Sequence, residues 1–227
     1  MQVSRSKKYK RKALVLLSGG IDSATTLYLA RKKFCPTALM FDYGQRHKKE
    51  IESAKKIARI AHCQYKIVKL ALPRKGNALL DRKAHVPVRR SLKEIKRTLP
   101  LTYVPARNLV FLSIASSFAE SMKTKAVFIG CHSQDYPGYP DCRKAFFDIF
   151  RKVITAGTKY GRRIKIYAPL LDKKKSEIIK IALRLKVPIE LTWSCYKGGR
   201  HPCGICDSCF FRRRAFEELN MEDPYYV

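Results

Sequence analysis

Ser18-Gly19-Gly20-Ile21-Asp22-Ser23 is the stretch on which the reading of this chain turns. The apolar run Ala13-Leu14-Val15-Leu16-Leu17 precedes it, and the helix-forming Ala24-Thr25-Thr26-Leu27-Tyr28-Leu29-Ala30 follows. A buried strand, a glycine turn and a helix start make an anion site. The glycines let the backbone turn sharply and approach a ligand closely. The first helical N–H groups and the helix dipole then face whatever anion sits there. Ser18, Ser23 and Thr25 add hydroxyls. No Lys follows the glycines, so this is not the GxxxxGK[ST] phosphate loop.

Outward from this turn, strand and helix alternate, which predicts a doubly wound, mostly parallel α/β sheet. The strand candidates are 13–17, 37–41, 65–69, 126–130 and 165–168. The helix candidates are 23–33, 48–62, 108–121, 144–155 and 174–185. In the second of these helices Ile51, Ala54, Ile57, Ala58 and Ala61 share one face, the stripe of a helix packed on a core. Residues 71–102 are the least regular, with Pro73, Pro87 and Pro100, and read as an insertion or a partly mobile lid. From Trp193 the chain turns to Cys, Gly and Arg. The expected division is an α/β domain over 1–192 and a metal-stapled segment with a C-terminal helix over 193–227. Open parallel sheets bind ligands beyond the carboxyl ends of their strands. The polar or glycine-rich stretches 18–23, 42–47, 131–143 and 170–175 fall there.

The 227 residues suffice for one α/β domain with a small appendage. No apolar run is long enough to span a membrane, and the basic residues from Arg5 to Lys12 run into the first strand without a signal-peptide core. The expectation is a cytoplasmic protein, and eight cysteines in that setting point to metal or catalysis rather than disulfides. The net charge of +30 admits a nucleic-acid partner or a solvated lysine-rich surface, and the spread from Lys7 to Arg214 separates neither; nucleic acid is not the favoured partner.

Cys195, Cys203, Cys206 and Cys209 are spaced C-x7-C-x2-C-x2-C. Four thiolates fit one tetrahedral zinc with no open position, which is a structural site. An iron–sulfur cluster and a redox or sulfur-transfer role are the competing readings. Cys35 and Cys63 read as core residues, and Cys131 as either buried or within the site.

The turn resembles the SGGxDS signature of the PP-loop ATP pyrophosphatases, which cleave ATP between its α and β phosphates and adenylate a substrate oxygen. Further motifs narrow the resemblance. Gly138-Tyr139-Pro140-Asp141-Cys142-Arg143, Trp193-Ser194-Cys195-Tyr196 and Cys203-Gly204-Ile205-Cys206-Asp207-Ser208-Cys209 are similar to motifs of the QueC family of 7-cyano-7-deazaguanine synthases. Tyr43-Gly44-Gln45-Arg46-His47 and Tyr103-Val104-Pro105-Ala106-Arg107-Asn108 match in the same order, from Leu16 to Phe216. Three departures, at Pro137, Ala145 and 131–134, lie beside the substrate loop.

The resemblance implies a ligase that converts 7-carboxy-7-deazaguanine and ammonia to the nitrile at the cost of ATP, through an acyl-adenylate and an amide, for queuosine or archaeosine. It implies ATP on Leu16, Leu17, Ser18, Gly19, Gly20, Ile21, Asp22, Ser23, Ala24, Thr25 and Arg107. It makes Asp22, Ser23 and Arg143 the catalytic candidates, and Tyr139, Asp141, Arg143 and Gln45 the substrate pocket. Asp22 suits either a Mg2+ ion on the phosphates or a helix N-cap. Asp141 suits either the base's N–H edge or a turn, and Arg107 with Asn108 either ATP or a solvated helix start. Lys175 stands where it could meet a phosphate. One Zn2+ per chain and a homodimer complete the expectation. The alternatives are a PP-loop tRNA-thiolating enzyme and a relative that joins the deazaguanine to another amine.

Overall fold

The first strand, β1 (Arg11–Leu16), is buried on both sides: Ala13 and Val15 face one core, and Leu14 and Leu16 the other. A strand with two apolar faces needs a layer on each, and the chain supplies them. The structure, a computed structural model, describes residues 11–97, 99–132 and 139–226. Its sheet also holds β2 (Phe34–Asp42), β3 (Gln64–Lys69), β4 (Ala126–Phe128) and β5 (Lys165–Tyr167). The order is β3-β2-β1-β4-β5, with every pairing parallel.

On one face lie α1 (Ile21–Arg31), α2 (Lys49–Ile60), α6 (Lys175–Arg184) and α7 (Asp207–Glu217), whose Leu27, Ile57, Ile178 and Phe216 share a core. On the other lie α4 (Arg107–Ser121) and α5 (Lys144–Gly157), which bring Leu112, Ala115, Phe147 and Phe150. The alternating strands and helices expected from the sequence are present, with ends moved by a few residues. The C-terminal helix begins directly after Cys206, so that Cys209 sits in its first turn.

Residues 71–102 differ from the expected lid. They hold one short helix, α3 (Leu92–Arg97), but are fastened along their length. The Arg46 guanidinium donates to the carbonyls of Asp81 and Ala84, and Asn77 donates to Tyr103. Val88 forms a β-bridge with Cys206, and Arg90 pairs with the buried Asp207. Ala78 and Val86 share a small core with Cys195, Cys206 and Cys209. The stretch lacks periodicity because its backbone is satisfied by side chains and by the cysteine segment rather than by a helix or ladder.

The sheet order reverses direction at β1, between β2 and β4. A crevice opens at such a point because the connections on either side lead to opposite faces. The glycine turn after β1 and the segment after β4 both end there. Gly130 seals their contact, since a Cβ at this position would come within 2.8 Å of the Asp22 backbone.

Candidate functional site

The turn after β1 holds itself in shape. The Ser23 hydroxyl donates to the Gly20 carbonyl at 3.0 Å and accepts from the Ser18 hydroxyl at 3.0 Å and the Ser18 N–H at 3.2 Å. Gly19 has φ +91, and a Cβ there would strike the Glu50 carbonyl, so the turn packs backbone to backbone on α2. The Gly19 carbonyl accepts from the Ser53 hydroxyl at 3.0 Å and from the Trp193 N–H at 2.9 Å. At the N-cap of α1 stands Gly20, with no side chain bonding the first turn. The N–H groups of that turn are thereby left to a ligand.

A cavity of about 240 Å³ opens at the turn. Leu16, Leu17, Ser18, Gly20, Ile21, Asp22 and Ser23 line it, as do Gln45, Arg107, Tyr139 and Lys175. Other expected ligands point elsewhere. Gly19 lies behind the turn against α2. Ala24 and Thr25 are fully buried in α1, where the Thr25 hydroxyl donates to the Ile21 carbonyl at 2.7 Å. The helical rotation after Ser23 carries both into the core.

Asp22 is not an N-cap. Its carboxylate accepts from Lys175 Nζ at 2.6 and 2.7 Å, and His132 Nε2 lies 3.6 Å away. Burial alone would raise this carboxyl, but the charges and hydrogen bonds of Lys175 and His132 outweigh it and hold Asp22 below the usual carboxylate range. Lys175 opens α6 and Asp22 opens α1, so one ion pair ties two helix starts at the mouth of the anion site.

Across the cavity stands a second polar group. Arg107 begins α4 and faces Tyr43, Tyr139, Cys142 and Glu50. Burial pushes the Tyr43 hydroxyl up to about 12, and burial pushes the half-buried Glu50 carboxyl up to about 7 against the pull of Arg107. Sequence reasoning missed Glu50, although it stands in the first turn of α2 just beyond the Tyr43–His47 motif. Gln45 bonds its own turn, accepting from the Tyr43 N–H at 2.9 Å and donating to the Phe41 carbonyl at 3.2 Å. The Tyr139 ring stacks on Tyr103 at 5.4 Å, and its hydroxyl lies 3.3 Å from that of Thr102.

The other two substrate-loop candidates are placed differently. The Asp141 carboxylate is buried and accepts from the Asn108 N–H at 2.9 Å, capping α4. Arg143 is exposed and is not among the residues lining the cavity. The reason is local. The 3-10 turn Pro140–Cys142 directs Asp141 inward to the helix start, and Arg143 then stands at the N-cap of α5. Gly138, Pro137 and the Ser133-Gln134 departure lie outside the described residues, as do Arg5 to Lys10.

The four cysteines converge. The sulfurs of Cys195, Cys203, Cys206 and Cys209 all lie within 4.8 Å of one another. The Cys203 N–H donates to Cys195 Sγ and the Cys206 N–H to Cys203 Sγ, each at 3.3 Å. Amides aimed at sulfur suit thiolates, and four such sulfurs fit a zinc ion. The segment also walls the cavity, through Trp193, Ser194, Tyr196 and Ser208. Behind it the fully buried Arg212 donates to Asp223 at 2.7 and 2.9 Å and to the Thr192 hydroxyl at 2.7 Å, and stacks over Tyr225 at 4.1 Å. Among the described residues no helix is long and apolar enough to cross a membrane.

The family model described as "Queuosine biosynthesis protein QueC" matches residues 12–220. The 7-cyano-7-deazaguanine synthase of Trichodesmium erythraeum is 48% identical over 94% of this chain and 99% of its own. That of Thermoplasma volcanium is 46% identical over 94% of this chain and 90% of its own. Among solved structures, NMN synthetase from Francisella tularensis aligns at 14% identity over 95% of this chain and 79% of that one, with a TM-score of 0.46.

Proposed function

The chain belongs to the QueC family, and from that premise we propose that its cavity activates a deazaguanine carboxylate with ATP. The activity is that of a 7-cyano-7-deazaguanine synthase, an ATP-dependent carbon–nitrogen ligase. The observation that carries the mechanism is the glycine turn with uncapped α1 at one end of a cavity and the half-buried Arg107 at the other.

A carboxylate is a poor electrophile. Its oxygen attacks the α phosphorus of ATP, and pyrophosphate leaves toward the amides that open α1. Lys175, held in place by Asp22, neutralises the charge that develops on the departing phosphates. Ser23 acts by holding the turn, through its bonds to Ser18 and Gly20. Arg107 takes the role expected of Arg143 and pairs with the substrate carboxylate, while Tyr139 supplies a flat wall for the base. Ammonia displaces AMP to give the amide. A second adenylation, on the amide oxygen, allows dehydration to the nitrile. The protein's main contribution is alignment and fixed charge.

A magnesium ion accompanies ATP in the expected chemistry. Both Asp22 oxygens are held by Lys175, so this carboxylate offers the ion no ready ligand. The four cysteines fit zinc, which would fold the segment carrying Trp193 and Tyr196 against the cavity. The proposal includes a homodimer and a C-terminal segment that begins at Trp193.

Mass spectrometry of products tests the reading. The purified protein with ATP, 7-carboxy-7-deazaguanine and ammonium should yield AMP, pyrophosphate and the nitrile. ATP cleavage that needs a tRNA instead would favour the thiolating alternative, which the basic surface otherwise suits. A product that keeps an added amine would identify a conjugating enzyme.

A further inference from the structure

Two carboxylates line the cavity with separate partners: Asp22 is held by Lys175 and His132, whereas Glu50 faces Tyr43 and Arg107. The chemistry proposed above uses the first and leaves the second without a task, although the reaction must dispose of protons borne by nitrogen. We propose that Glu50 is the proton acceptor of the amine steps: it binds ammonium at the cavity wall and takes its proton as nitrogen attacks the activated carboxyl. This rests on the ligase reading given above.

The geometry supports it. Glu50 is in the first turn of α2, its backbone carbonyl abuts Gly19 of the anion turn, and the residue lines the cavity that would hold the acyl-adenylate. Its charged neighbours are few. Arg107 faces it from α4 and Tyr43 from the end of β2, while Tyr139 and Cys142 surround Arg107 on the far side. The Gly19 turn brings only backbone. Burial also poises this carboxyl at about 7, where an acceptor of protons is most effective near neutral pH.

The steps balance. Ammonium gives one proton to the Glu50 carboxylate. The ammonia formed makes a C–N bond to the acyl carbon, the C–O bond to AMP breaks with its electron pair, and the nitrogen loses a second proton as the amide forms. In the second half the amide oxygen takes the adenylyl group, releasing pyrophosphate. The nitrogen then loses two protons while AMP departs with the C–O pair and the triple bond closes. Glu50 accepts these protons in turn and returns each to water between steps.

The test separates adenylation from amination in Glu50→Gln. Adenylation transfers no proton, so exchange of labelled pyrophosphate into ATP with 7-carboxy-7-deazaguanine should persist, reduced far less than amination. Amide formation from ammonium chloride at pH 7 should fall about 10²-fold or more. Hydroxylamine, largely uncharged at that pH, should restore adduct formation to within several-fold, and Glu50→Asp should keep part of the ammonium reaction. Loss of exchange in Glu50→Gln at an undiminished melting temperature would overturn the assignment, as would undiminished amide formation or a failure of hydroxylamine to rescue. If Glu50→Gln fails to fold, Glu50→Asp decides alone: unaltered exchange with weakened amination supports the role, and equal loss of both overturns it. Absence of exchange in the unaltered protein would instead refute the ligase reading itself.

Discussion

The glycine turn and the cysteine segment are neighbours joined by the Trp193–Gly19 hydrogen bond, yet they reach their shapes by opposite means. The turn is held by what surrounds it: serine hydroxyls bond its backbone, α2 backs Gly19, and Gly130 lets β4 close on α1. The cysteine segment has Ala78, Val86 and its own sulfurs for a core. Four thiolates within 4.8 Å repel one another unless a cation joins them. One region is therefore preorganised by the fold, whereas the other gathers four sulfurs that could hold a metal ion. Trp193, Ser194 and Tyr196 wall the same cavity, so a metal in this segment would act on the site through packing.

The largest test of this contrast is removal of the metal. Structural zinc contributes on the order of 10 kcal/mol in small domains. Chelation, or Cys203→Ser, should therefore lower the melting temperature sharply and release about one zinc per chain on metal analysis. A chelated protein with an unchanged melting curve would show that the segment supports itself. Next comes the buried Arg212–Asp223 pair, which fastens the C-terminal tail behind the segment. Asp223→Ala leaves a guanidinium uncompensated and should cost about 3–5 kcal/mol in denaturant unfolding. A loss below 1 kcal/mol would mean that Thr192 and Tyr225 suffice to hold Arg212.

On the side of the turn, Asp22→Ala should leave the fold intact and lower kcat by about 10²–10³-fold, or roughly 3–4 kcal/mol of barrier. Inverted results, with Cys203→Ser stable but inactive and Asp22→Ala unfolded, would exchange the roles assigned to the two regions. The smallest effect concerns Glu50. Its carboxyl titrates near 4.5 unfolded and near 7 folded, so the unfolded chain ionises first and stability falls as pH rises across that window. Glu50→Gln removes the loss. It should stabilise the protein by about 3 kcal/mol at pH 8 and leave it unchanged near pH 4, by comparison of melting curves.

Much of this was legible in the sequence because it is local. β1, the Ser18–Ser23 turn and the face of α2 announce themselves by spacing, and the cysteines by their C-x2-C steps. What escaped is long-range. Lys175 meets Asp22 across 153 residues, and only the sheet order brings their helices together. Asp141 looked like a ligand because the substrate loop is unusual, but its carboxylate answers the orphan N–H of Asn108. Arg212 reads as one of many solvated cations, and its complete burial depends on a tail that returns to cover it. Residues 71–102 read as an insertion or a partly mobile lid for the same reason, since several of their partners stand in the distant cysteine segment. Glu50 carried a weak signal: it is one of only 18 acidic residues in a chain with 48 basic ones, and it follows the Tyr43–His47 motif.

The most direct measurement is a crystal structure with a non-hydrolysable ATP analogue. The account predicts its phosphates on the N–H groups of Ile21 to Ser23, with Lys175 within hydrogen-bond distance and the α phosphorus facing Arg107 across the cavity. An analogue bound elsewhere, with the Ser18–Ser23 turn empty, would contradict it.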